Sequence, residues 1–253
     1  MESNNPVLSK AFNKEGFAAF EQTYQGPSAT PVQMGRMTID DVVTKTGLLL
    51  AVLVVTAGLA WMLNFSSGYL MIGLIAGFVL AMVNTFSKSV KPALVIAYAV
   101  CEGLVVGVIS HLYNSLYNGI VSQAVIGTVA AFSGILFLYS SGKLRATPRF
   151  TKILMSAAIG YLVLGLISLV ASFTGVGQGM GFYGVSGLGL LLSVAGVALA
   201  SFFFVLDFDQ IQKGVQAGVP ANESWRASFG LLVTLVWLYL EILRLLSILR
   251  SQD

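Results

Sequence analysis

The chain has 253 residues, of which 56% are hydrophobic and only 10% charged, and its mean hydropathy is +0.84. Soluble domains carry about 25% charged residues, so this composition excludes an ordinary water-soluble globule. The formal net charge of +3 is spread in small groups between apolar runs, which leaves no patch for nucleic acid.

Residues 1–43 are polar, with Asn4, Asn5, Pro6, Pro27 and Pro31 and little periodicity. They read as a disordered cytoplasmic tail with a short helix around residues 14–22. The segment lacks the apolar core and small-residue cleavage site of a signal peptide. Thr38 in "MTIDD" (37–41), with Asp41 three residues on, is placed to cap the first helix. Residues 44–250 then hold seven apolar runs, at about 44–63, 69–86, 92–110, 119–140, 153–173, 183–206 and 229–248. Each is close to the roughly 20 residues that cross a bilayer as a helix. The expected fold is an all-α membrane protein of seven transmembrane helices, with the last helix central in the bundle.

Basic residues orient the bundle. Lys10, Lys14, Arg36 and Lys45 precede or open the first span; Lys88, Lys91, Lys143, Arg145, Arg149, Lys152, Lys213 and Arg226 fall at the second, fourth and sixth connections. The other connections, "NFSSG", "LYNSLYN" and "TGVGQGMG", hold none. Lys and Arg mark the cytoplasmic side, so a multi-pass protein of the cell membrane is expected, N-terminus cytoplasmic and C-terminus external. Small residues suit close helix packing in lipid: Gly73 and Gly77 in the second span, Gly103 and Gly107 in the third, and Gly196, Ala198 and Ala200 in the sixth. The lone Cys101 has no partner for an intramolecular disulfide, and no Cys/His cluster suggests a bound metal. No tightly bound cofactor is expected.

The polar exceptions carry the functional signal. "LVWLYLEILRLLSIL" (235–249) places Glu241 and Arg244 in the middle of an apolar helix, where each charge costs roughly 2.5–3.5 kcal/mol. Glu102 lies inside the third span and Asp207 at the inner end of the sixth, with Asp209 two residues on and facing elsewhere. Glu102 suits a hydrogen bond to a neighbouring helix, and Glu241 could be a local ion pair with Arg244, three residues away. A sharper reading brings Asp207 and Glu241 together in the interior. They would then titrate as a coupled pair and, when ionised, offer hard oxygen ligands to Ca²⁺. Depth counting leaves about 15–20 Å for helix tilt to close.

These residues also carry a resemblance. "FVLDFDQIQ" (204–212) followed by "WLYLEILRLL" (237–246) resembles the last two helices of the Bax inhibitor-1 family. "AYAVCEGL" (97–104) is similar to its third helix, and "GTVAAFSGILFLYSSGKLR" (127–145) to its fourth helix and the basic loop after it. The polar tail is similar to that of actinobacterial members. The resemblance implies a pH-sensitive calcium leak, with Ca²⁺ and protons as its ligands in the bilayer. It also implies that the family's two sensing aspartates fall on Asp207 and Glu241, which would hold Ca²⁺ transiently. Arg244 stands where the family usually has Asn, and the second span has no basic residue to pair with the first carboxylate. Arg244, Asp209 and Glu102 are then the candidate modulators.

Three other functions remain open. One is a proton-coupled transporter using the same carboxylates, against which the missing internal repeat argues. Another is a regulatory protein acting through membrane-protein partners. The third is catalysis: "GVSG" (184–187) resembles the nucleophile motif of rhomboid proteases, and His111 is the only histidine. The histidine precedes the serine, against the rhomboid order, so no enzyme activity is expected.

Overall fold

The computed structural model describes residues 34–65, 67–175, 181–184 and 186–251. The short helix expected around residues 14–22 lies outside them. Among the described residues seven helices follow in order: α1 (Ile39–Met62), α2 (Ser67–Phe86), α3 (Pro92–Leu116), α4 (Ile120–Ser140), α5 (Pro148–Ser172), α6 (Gly187–Ala217) and α7 (Glu223–Arg250), with a 3₁₀ turn at Gly181–Tyr183. All seven are long and apolar enough to cross a membrane. Their outer faces expose Met62, Ile72, Phe78, Phe86, Ile153 and Phe173 among many other large apolar side chains. Such a surface is a liability in water and is matched by hydrocarbon.

α7 is the central helix. It packs against α1, α3, α4 and α6, and 61% of its most apolar stretch is buried, against 11% for α5. α2 leans chiefly on α3, and α5 chiefly on α6 and the 3₁₀ turn. The closest crossing joins α3 to α1. A Cβ built on Gly103 would lie 2.5 Å from the Leu53 carbonyl oxygen, and one on Gly107 would lie 2.8 Å from Ala57 Cα. Only glycine admits such an approach, and the backbones gain dispersion contact from it.

Several helices run beyond the apolar runs read from the sequence, α3 to Leu116, α5 from Pro148 and α7 from Glu223 among them; the bounds of α1 and α6 matter most. α1 begins at Ile39, inside the residues 1–43 assigned to the tail, and its cap is the one expected from "MTIDD": Thr38 Oγ1 accepts from the Asp41 N–H at 3.2 Å. The Asp41 carboxylate does not return the bond; it holds Lys45 Nζ at 2.7 Å and the Ser224 hydroxyl at 2.6 Å, joining α1 to α7. α6 continues well past residue 206 and ends at Gly218, which takes φ +66°. Phe208, Ile211 and Val215 recur at helical spacing and pack on the core, so an amphipathic stripe carries the helix beyond its apolar part. Asp207 therefore sits inside α6 and not at its end.

The end of the bundle that holds the N-termini of α1 and α7 is strapped by backbone. Arg36 and Pro220 form an isolated antiparallel bridge, in which Met37 N–H donates to Val219 O and Ala221 N–H to Gly35 O, both at 2.8 Å. Arg226 pairs with Glu223 and donates to the Asn84 and Ser87 carbonyls, tying α7 to the α2–α3 connection.

Candidate functional site

Glu241 is only 6% exposed. It lies where α7 faces α5 and α6, opposite Gly196. A Cβ on Gly196 would come within 2.5 Å of Glu241 Oε2, so the glycine makes room for the carboxylate. Its Oε1 accepts from the Tyr161 hydroxyl of α5 at 2.7 Å and from Trp237 Nε1, one turn back on α7, at 3.2 Å. Its Oε2 faces Arg244 Nη2 at 2.6 Å as an ion pair, without an aligned hydrogen bond. Arg244 in turn donates through Nε to Ser193 Oγ at 2.9 Å and through Nη2 to Tyr161 OH at 2.8 Å. The Tyr183 ring covers the guanidinium at 4.4 Å, close enough for cation–π attraction. A carboxylate and a guanidinium are thus lodged among membrane-spanning helices with most of their bonding capacity met.

Asp207 does not join this cluster. Its Oδ2 accepts from Thr234 Oγ1 of α7 at 2.7 Å. Thr234 and Glu241 are two turns apart, roughly 10 Å along α7. α6 and α7 run antiparallel in a register that sets Asp207 opposite Thr234 and Gly196 opposite Glu241, with the Phe203–Trp237 ring contact (5.5 Å) between the two levels. The expected direct pair is therefore not formed in this conformation. Its place is taken by the local Glu241–Arg244 pair, and helix tilt does not close the gap.

The other sequence candidates are dispersed. Asp209 forms an ion pair with Lys213 at 2.6 Å, one turn on and near the bundle end. Glu102 lies beside Tyr98 on α3, with its Oε1 3.6 Å from where a Gly77 Cβ would stand on α2; this is the α2–α3 contact, away from α7. Ser186 Oγ accepts from Gly189 N–H at 3.0 Å and caps α6, whereas His111 packs edge-on against Trp61 at 5.4 Å. The structure does not bring this serine and histidine together. Among the described residues no three metal-binding side chains converge.

Tyr161, Tyr183, Ser193 and Thr234 were not singled out from sequence, and Gly196 was read only as a small packing residue of the sixth span. Trp237 alone had a readable signal, since it lies four residues before Glu241 and shares its helix face. The others are brought to the charged groups only by packing: Tyr161 from α5, Tyr183 from the 3₁₀ turn, Ser193 and Gly196 from α6, and Thr234 from α7 against Asp207.

A family model described as "Bax inhibitor 1 like" matches residues 5–251. No curated protein matches the chain. The match runs through all seven spans, including both carboxylate-bearing helices. With the seven membrane-length helices, it establishes that the chain is a multi-pass membrane protein belonging to the Bax inhibitor 1-like family.

Proposed function

We propose that the protein is a pH-sensitive cation leak of the cell membrane, with Ca²⁺ as the permeant ion and Asp207 and Glu241 as the groups that take up ions and protons. The observation that carries this reading is that both carboxylates lie on the α6–α7 seam within membrane-spanning helices. Ionisable side chains at such depth are costly and mark ion paths and proton relays. Calcium comes from the family resemblance; carboxylate oxygens suit it as hard ligands.

In the described conformation Glu241 is held by Arg244, Tyr161 and Trp237, so a cation must displace Arg244 to reach it. This reading treats the structure as the closed state. The positive charges around the α2–α3, α4–α5 and α6–α7 connections support a cytoplasmic N-terminus. The test is Ca²⁺ entry into dye-loaded proteoliposomes at two pH values. Entry above that of protein-free vesicles, differing between the two values, supports the reading. Entry equal to that of protein-free vesicles at both refutes it.

A further inference from the structure

α1 and α4 both pack on α7 but hardly touch each other. The gap between them opens into a groove of about 390 Å³ that reaches the bundle interior. Leu50 and Val54 of α1 and Val125 and Val129 of α4, all exposed, form its rims. Ser110 of α3 and Val236 and Tyr239 of α7, all buried, form its floor. Gly58 lies along the α1 wall, and a Cβ there would meet nothing within 4 Å. Among the described residues no charged side chain lines the groove. Its hydroxyls are already satisfied: Ser110 Oγ and Tyr239 OH share a hydrogen bond of 2.7 Å, and Thr128 Oγ1 donates to the Ala124 carbonyl at 2.8 Å. A buried water needs roughly two to four polar partners, so this space suits hydrocarbon and not water or an ion.

We propose that this groove is a binding site for one acyl chain of a membrane phospholipid, inserted from the leaflet at the end of the bundle where α1 stops and α4 starts. Length and volume both carry the assignment. Along α1 the lining runs from Leu50 to Trp61, a rise of about 16 Å, which is half of a hydrocarbon core roughly 30 Å thick. Along α4 it runs from Val121, at the start of the helix, to Val129, so both walls lie in the same half of the bilayer. At the roughly 30 Å³ that a water-sized group occupies in a liquid, the groove takes about a dozen methylenes, a chain of one leaflet's depth. Trp61 stands one residue before the end of α1, and tryptophan favours the headgroup level, where the glycerol ester of such a lipid would sit. The exposed rims continue the apolar outer surface that faces the bilayer, so a chain enters sideways without crossing polar ground. Lipid tails are as apolar as the walls, so what holds the chain is dispersion contact with four helices, where a lipid on the outer surface meets only one flank.

The experiment counts the phospholipid that stays on the full-length chain after reconstitution in phosphatidylglycerol vesicles, extraction into detergent and washing, by mass spectrometry of the intact folded protein. The wild type should retain one phospholipid per chain. Gly58→Phe and Val125→Phe, which fill the groove from opposite walls, should each lose it, while Ile72→Phe, on the exposed face of α2, should keep it. A wild type washed free of phospholipid, or equal retention in the two filled variants, overturns the proposal; so does a retained species without a phospholipid's mass. If the filled variants fold poorly, the wild type decides alone. With phospholipid brominated in its acyl chains, the fluorescence of Trp61, taken as the difference between wild type and Trp61→Phe, should be quenched in the washed complex, and an unquenched Trp61 overturns the proposal. No ion flux enters either measurement, so the result stands apart from whether the protein conducts Ca²⁺.

Discussion

Glu241 is met by three neighbours from two helices, and this arrangement makes its energetics testable one side chain at a time. Removing one partner of a buried ion pair leaves an uncompensated charge, at a cost of roughly 3–5 kcal/mol. Arg244→Met should therefore destabilise the detergent-solubilised protein by about that amount, and Glu241→Gln by a comparable one. The double variant should recover much of the loss, a coupling visible in a double-mutant cycle from unfolding midpoints. Asp207→Asn and Glu241→Gln should instead add to within about 0.5 kcal/mol, because sites that far apart without shared partners are independent. Coupling between the two carboxylates would contradict the geometry. Gly196→Ala should cost about 1–3 kcal/mol by overpacking, since its Cβ would press on the carboxylate. Gly160→Ala, facing open space, should be neutral. At this scale the sequence exposed the anomaly and half of its solution. Glu241 and Arg244 share a helix face at i and i+3, so their pairing was readable. Tyr161, between apolar neighbours on α5, gave no sign of which helix it would face.

Among the elements, the glycine pairs in α2 and α3 were visible in sequence, but their partners were not. Gly103 and Gly107 admit the α1 backbone, whereas Gly73 meets the Leu104 and Val105 side chains of α3. Gly103→Ala or Gly107→Ala should thus force two backbones apart and lower the thermal midpoint, while Gly58→Ala on α1, with nothing within 4 Å, should leave it unchanged. Equal effects at all three positions would show that the α1–α3 crossing is not the tight one. The reading of α6 failed in an instructive way. Hydropathy falls at Asp207, and a span judged by hydropathy alone ends there. The helix persists because Phe208, Ile211 and Val215 still form a packed stripe. That one boundary moved Asp207 from an expected helix end into a helix interior.

For the whole molecule, composition and run length were sufficient to give the seven spans, because a bilayer admits few alternatives to helices that satisfy their own backbone. Register between helices was beyond reach: the two turns of α7 between Thr234, which meets Asp207, and Glu241 decide that the carboxylates do not touch, and no local pattern encodes them. The orientation proposed from the basic connections is checked by labelling in a Cys101→Ala background. Ser115→Cys in the α3–α4 region should react with an impermeant maleimide added to intact cells, and Ser141→Cys beside the α4–α5 connection should not; the opposite pattern would invert the topology. The central claim is that the two intramembrane carboxylates make a cation leak respond to pH. Its most direct test is Ca²⁺ entry into dye-loaded proteoliposomes across a pH series, comparing the wild type with Asp207→Asn, Glu241→Gln and the double variant. The account predicts a pH-dependent leak that each single variant flattens and the double variant abolishes; wild-type pH profiles in all three would contradict it.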